Sequence, residues 1–189
     1  DLPSKTVYLL KQEFIAWKKF IFFKKLIVKQ NNIIISTIKT KIGNFYLELY
    51  NNSIVKFLPS SKNIVTNNPL VKGITNNLND YFLGKKKEFK FRINPQGTDF
   101  QKKVWNKILT IKYAQTSSYY EVARMLSSSP RAVGNACAKN PCLLFIPCHR
   151  IIHKNNFSGN YIMGKKTKMT LLTLEKENDW TFTIVRGLV

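Results

Sequence analysis

Residues 130–152 read PRAVGNACAKNPCLLFIPCHRII, and that stretch decides the fold. Pro130 suits the first position of a helix, where its missing N–H is not needed. Arg131 to Lys139 continues that helix, and Asn140-Pro141 stops it. Just upstream, Tyr119 to about Leu126 predicts a short helix, and Ser127-Ser128-Ser129 a turn. Helix, short turn, helix is the outline of a helix-turn-helix. The second helix is odd for a reader of base edges. It offers Ala132, Gly134, Ala136 and Ala138, with Arg131 as its one long probe. Small residues there either let the backbone approach a partner closely or only allow tight helix packing. The sequence leaves both readings open.

The far end of the stretch carries chemistry. In Pro147-Cys148-His149-Arg150, a thiol, an imidazole and a cation are adjacent. A thiol must become thiolate to attack. A neighbouring His can take the proton, and a cation such as Arg150 favours the anion. The His then needs a third group, usually a carboxylate, to fix its tautomer. Adjacent residues of a regular strand point to opposite faces, so this pair must sit on a turn to cooperate.

Outward from there, Thr98 or Asp99 can cap a helix with Phe100, Val104, Trp105, Ile108 and Leu109 on one face. Asn94-Pro95-Gln96-Gly97 is the domain boundary. Before it, Ile33–Lys39, Asn44–Tyr50 and Ser53–Pro59 predict an antiparallel meander, with Gly43-Asn44 and Asn51-Asn52-Ser53 as turns. Apolar spacing predicts a helix over Leu70–Phe82, ended by Gly84, and Phe89–Ile93 reads as one more strand.

The 189 residues carry 31 basic and 10 acidic side chains, a net charge of +21 that favours a polyanionic partner. The three cysteines, 137, 142 and 148, are few and clustered, unlike a secreted disulfide scaffold. They predict reduced thiols in an intracellular, reducing compartment. Phe14–Val28 is apolar but broken by Lys18, Lys19, Lys24 and Lys25, which excludes a membrane span and a signal peptide. Residues 1–31 otherwise read as a basic segment packed on the domain, with an amphipathic surface segment as the alternative.

Over residues 97–177 the sequence resembles the O6-alkylguanine-DNA alkyltransferases. Asn140-Pro141 followed by Pro147-Cys148-His149-Arg150-Ile151-Ile152 resembles their active-site signature. Phe100-Gln101, Val104-Trp105, Ser118-Tyr119, Ala123 and Arg131-Ala132-Val133-Gly134 match in order. So do Ser158-Gly159-Asn160-Tyr161, Gly164, Lys168, Leu171-Leu172 and Glu175.

The resemblance implies an α+β protein. An N-terminal antiparallel-sheet, ribonuclease-H-like domain would span 1–95, a winged helix-turn-helix-like domain 97–180, and a tail 181–189. It implies direct, irreversible transfer of the alkyl group from O6-alkylguanine, and from O4-alkylthymine, to Cys148 after base flipping. His149 would take the thiol proton through a water, Glu175 would orient His149, and Asn140 would brace the turn. Tyr119, Tyr161 and Ile162 would meet the base, and Lys168, also at the substrate site, would stand near the thiol and support its anion. Arg131 would fill the gap left in the stack, with Gln101, Tyr120, Ala132, Gly134 and Lys154 also on the DNA.

The implied partner is double-stranded DNA, bound from the minor groove by a monomer able to line up cooperatively. No membrane is involved. The compartment would be the nucleus in a eukaryote and the cytoplasm otherwise. No cofactor and no metal are implied. The zinc site of some members needs ligands this chain lacks before position 137. Cys137, Cys142, Cys148, His149 and His153 lack the paired spacing of a zinc site. Cys137 and Cys142 read as packing residues and His153 as a surface residue.

Departures from the family stand at Leu143, where Pro is common, and Met163, where Gly is common. Both would line the pocket and crowd large benzyl substrates. The segment between Tyr119 and Arg131 is also two residues shorter than in better-known members. Two other readings compete with transfer. One is a non-catalytic binder of alkylated DNA, which would lack the nucleophilic cysteine. The other is a Cys-His hydrolase, for which Arg131 and its helix have no use.

Overall fold

Alternation builds the N-terminal half. In β1 (Ile33–Thr40), β2 (Gly43–Tyr50) and β3 (Ser53–Pro59), every second side chain faces inward, including Ile38, Phe45, Leu47, Leu49 and Phe57. The strands form one antiparallel sheet in the order β1-β2-β3. Asn51 and Asn52 both have positive φ, 47° and 59°, as the tight two-residue β2-β3 turn requires. A register shift at Glu48/Leu49 bends β2, and Phe45 stacks on Phe57 at 4.5 Å. The computed structural model describes residues 32–153 and 160–179. The N-terminal basic segment, Lys154 and the 181–189 tail lie outside the described residues.

Helix α1 (Pro69–Phe82) starts where Asn68 accepts from the N–H groups of Leu70 and Val71. It buries Val71, Ile74, Leu78, Tyr81 and Phe82 and packs on β1. The expected strand Phe89–Ile93 does not form. Its alternation is real, since Phe89, Phe91 and Ile93 are half-buried between more exposed cationic residues, but only Ile93 bridges to Ile54. The reason lies on the edge of β3. Ile54 accepts from Asn94 and donates to the Arg92 carbonyl, both at 2.8 Å, while the Phe57 end is taken by Pro141 and Leu143 at 2.7 and 3.0 Å. Only one end of the edge remains for a second strand.

The C-terminal half is helical. Helix α2 (Asp99–Leu109) opens with a reciprocal capping box between Thr98 and Gln101. Gly97 is needed just before it, because a Cβ there would meet the Trp105 ring at 2.5 Å. Helix α3 (Tyr119–Met125) opens with a second capping box, Ser118 with Glu121. Helix α4 (Pro130–Ala138) is capped by Ser129. The Trp105 indole donates to the Ala136 carbonyl at 2.9 Å and ties α2 to α4.

A 3-10 turn, Cys148–Arg150, follows. It leads into β5 (Ile151–Ile152), which pairs in parallel with β4 (Ser117–Ser118). Helix α5 (Gly164–Glu177) closes the described fold. One continuous core runs from the sheet through α1 to the helices, so the expected α+β class holds. No helix among the described residues is long and apolar enough to cross a membrane.

Candidate active site

The site forms where the 3-10 turn meets α4 and α5. The turn puts Cys148 and His149 at one corner instead of on opposite faces of a strand. Asn140, at the end of α4, fixes that corner from within. Its Nδ2 donates to the Ile146 carbonyl at 2.9 Å and lies 3.1 Å from Cys148 Sγ, and its Oδ1 accepts from the Cys142 N–H at 2.9 Å. Replacing the amide would orphan several buried groups at once.

On α5, Lys168, Leu171 and Glu175 fall at i, i+3 and i+7, and all three are buried on one face. The Glu175 carboxylate is the hub. Oε1 accepts from Tyr81 Oη at 2.7 Å and Arg150 Nη2 at 2.8 Å, and stands 3.0 Å from His149 Nε2. Oε2 accepts from Arg150 Nε at 2.9 Å and from the Ala114 N–H at 3.0 Å. Burial opposes the Glu175 charge, but the hydrogen bonds and charges around it prevail and hold its carboxyl at about 2. Burial pushes the His149 imidazole below its ordinary value, against the pull of Glu175. The ring is therefore held as a neutral base at pH 7. With Nε2 on the carboxylate, Nδ1 is the nitrogen left for the thiol side, and no described residue bonds it.

Cys148 is 4% exposed. Burial pushes its thiol well above the ordinary value, and the neighbouring Cys137 thiol adds to the rise. Asn140 and the Lys168 ammonium pull the other way. Lys168 is itself buried, its Nζ bonded to the Ile151 carbonyl and 5.8 Å from the Tyr119 ring. The cation that favours the thiolate is therefore Lys168. Adjacency in sequence pointed to Arg150 for that task and the family resemblance to Lys168; the Arg150 guanidinium is spent on Glu175 and the Ile111 carbonyl.

Cys148 opens onto a cavity of about 460 Å³ whose wall includes Tyr119, Arg131, Gly134, Cys137, Leu143, Tyr161 and Ile162. The Tyr119 hydroxyl donates to the Asn160 carbonyl at 3.4 Å. Arg131 is exposed at the start of α4. A Cβ on Gly134 would find only ordinary contact, 3.9 Å from Tyr119, so internal packing does not demand glycine there. That favours the close-approach reading of the small-residue helix.

Tyr120 is exposed on α3. Gln101 lies on α2 with its amide oxygen spent on the cap. Lys154 is outside the described residues. His153 is exposed, as expected, but its ring also lies 5.1 Å from Tyr119 and lines the cavity. Cys142 is a packing residue, fully buried, whereas Cys137 is half-buried on the cavity wall. Of the two bulky departures only Leu143 lines the cavity. Met163 packs toward the β1-β2 turn, its Cε 4.0 Å from where a Cβ on Gly43 would lie. No group of three or more metal-binding side chains is gathered among the described residues.

Sequence reasoning missed Tyr81, the Ala114 N–H and the Cys137 contact. Tyr81 read as one apolar position in a helical pattern; its hydroxyl was the signal.

Comparison with known proteins bears on this geometry. Residues 99–177 match the family described as 6-O-methylguanine DNA methyltransferase, DNA binding domain. A probable methylated-DNA–protein-cysteine methyltransferase of Acanthamoeba polyphaga mimivirus is 37% identical over 152 residues, covering 76% of this chain and 97% of the relative. The methylated-DNA–protein-cysteine methyltransferase of Methanosarcina mazei is 39% identical over 116 residues, 60% of this chain and 73% of its own. The crystal structure of Mycobacterium tuberculosis O6-methylguanine methyltransferase superposes with a TM-score of 0.69 at 32% identity, over 80% of this chain and 99% of that one. A structure of Mycobacterium tuberculosis OGT in complex with DNA also gives 0.69, at 34% identity over 76% and 93% of the two chains.

Proposed function

Because the chain belongs to the O6-methylguanine DNA methyltransferase family, we propose that its DNA-repair reaction moves the alkyl group of O6-alkylguanine onto Cys148, using the groups that meet at the 3-10 turn. The chain is a methyltransferase that acts on methylated DNA, and the catalytic reading holds over the non-catalytic binder. Residues 1–95 serve as the supporting unit and 97–180 as the reacting one.

Extruding a base from the duplex costs a few kcal/mol, and Arg131 offsets part of that by entering the stack. Small residues at 132 and 134 let α4 lie in the minor groove. The flipped guanine enters the cavity against Tyr119, Tyr161 and Ile162. Cys148 passes its proton through one water to His149, and Glu175 stabilises the imidazolium that results. The thiolate, steadied by Lys168 and Asn140, attacks the alkyl carbon. A C–S bond forms, the C–O bond breaks, and guanine leaves with its electron pair as Tyr119 donates to the ring. The thioether does not hydrolyse, so each molecule acts once. O4-alkylthymine presents the same carbon–oxygen bond and is a second substrate. Gln101, Tyr120 and Lys154 bear on the phosphate backbone. The protein acts as a monomer.

The single observation behind this reading is the Cys148 sulfur at a cavity wall, with the buried His149–Glu175 pair behind it. Mixing the protein with duplex DNA holding one O6-methylguanine and weighing it tests the reading. A stable gain of about 14 Da on Cys148 is expected, as a covalent thioether requires. No gain, or a gain that decays, would overturn it.

A further inference from the structure

Two thiols share this cavity, and alkyl transfer uses one. Cys137, in the last turn of α4, is half-buried and lines the same cavity as Cys148. Cys142, close by in sequence, is no partner. It is fully buried, and its Sγ faces the Ile54 carbonyl at 3.9 Å.

We propose that Cys137 is a resolving thiol, and that a hydroperoxide entering the cavity converts Cys148 and Cys137 to a disulfide that reversibly shields the acceptor sulfur. The inference uses the reactive Cys148 of the preceding section, but its chemistry is separate from alkyl transfer. The cavity is open enough for a base-sized guest and so admits a peroxide. The Cys148 thiolate attacks one peroxide oxygen. An S–O bond forms, the O–O bond breaks, and the other oxygen leaves as hydroxide or alkoxide, taking up the proton that Cys148 gave to His149 to depart as water or an alcohol. The product is a sulfenic acid, which left alone would oxidise further and irreversibly. Cys137 gives up its proton and its sulfur attacks Cys148 sulfur. The S–S bond forms, the S–O bond breaks, and hydroxide departs with that proton as water. Two thiols lose two electrons and the peroxide gains two.

To bridge, the two sulfurs on this cavity wall must close to about 2.05 Å. Cys137 sits one residue before the end of α4, ahead of its Lys139–Asn140 exit. In a reducing compartment the bridge would be transient and reopened by dithiols.

The test exposes the intact protein to hydrogen peroxide, blocks remaining thiols and digests it without reductant. Cleavage at Arg131, Lys139 and Arg150 yields peptides 132–139 and 140–150. These should appear joined, about 2 Da lighter than their sum, with fragment spectra placing the bond on Cys148 and not Cys142. After dithiothreitol, native protein should regain at least tenfold more maleimide-reactive Cys148 than Cys137→Ser or Cys137→Ala, each scaled to its own untreated sample. Unlinked peptides with Cys148 about 32 Da heavier, as a sulfinic acid, would overturn the proposal. So would equal recovery in native protein and both variants. The readout is thiol chemistry alone, so failure of alkyl transfer would show separately in the methyl-gain measurement.

Discussion

The two halves of the molecule are built on different physics, yet one carboxylate belongs to both. The sheet-bearing half gets its order from strand alternation and stacked aromatics such as Phe45 and Phe57. The helical half gets its order from three caps and a buried polar network. Glu175 on α5 is held by His149, Arg150 and Ala114 from its own half, and by Tyr81 from α1 of the other. The edge of β3 likewise grips the active-site loop through Phe57. The lesson is that the half without chemistry still sets the geometry of the half with it.

Five substitutions, one of them read by a titration, can break or sharpen this comparison. The largest effect belongs to the reacting half alone. Cys148→Ala should abolish transfer while leaving DNA affinity, measured by fluorescence anisotropy, within about twofold, because phosphate contacts dominate binding. In the supporting half, Phe57→Ala should cost about 3–5 kcal/mol in urea unfolding. It should also slow transfer in the protein that remains folded. Unchanged transfer would reduce the sheet to a passive support.

Acid should act through the shared carboxylate. The Glu175 carboxyl is held at about 2 in the folded chain, below the usual unfolded value of about 4.3. Its contribution is therefore complete above that unfolded value and lost as pH falls toward 2, on the order of 3 kcal/mol. The lowered His149 value adds a loss of the same sign, beginning as pH falls below about 6.5. Glu175→Gln should flatten the steep part of the stability–pH curve. A curve of unchanged steepness would remove Glu175 as its source.

Arg131→Ala should slow repair of duplex DNA at least tenfold, roughly the 1.4 kcal/mol or more expected of a lost stack-filling group. Reaction with free O6-methylguanine should barely change. Equal losses on both would end the finger role. The smallest effect tests the link between halves. Tyr81→Phe should cost about 1 kcal/mol, the worth of one hydrogen bond to a carboxylate that keeps its other partners. A shift in the pH profile of transfer would show that the hydroxyl also tunes the His149–Glu175 pair.

Much of this was legible in the sequence, for reasons particular to each segment. The three strands and the first helix announced themselves because every second, or every third to fourth, residue must face the core. Pro130 and Thr98 marked helix starts through hydrogen-bonding needs that are local. Partners across distance were not legible from local pattern; only the family resemblance supplied Glu175 for His149 and Lys168 for the thiol. Arg150 sits beside Cys148 in sequence, and adjacency suggested that it serves the thiol. The turn rotates it to Glu175, while Lys168, twenty residues on, serves the thiol instead. Phe89–Ile93 failed as a strand because pairing depends on a free neighbour edge, which no local pattern encodes. Met163 and Cys137 exchanged their expected places for the same reason. Nothing in either residue's surroundings in sequence says which wall of a cavity it will face.

The closed edges of the sheet have one more consequence. The β3 edge is covered by Arg92–Asn94 and Pro141–Leu143, and on the opposite edge Thr37 and Ser36 bond to Lys62 and Ile64. Bare strand edges are templates for self-association. The loop that shapes the reaction centre therefore also masks an edge on which a second copy could pair. A fragment ending at residue 96 would lose that cover and should aggregate at concentrations where the whole chain stays dispersed.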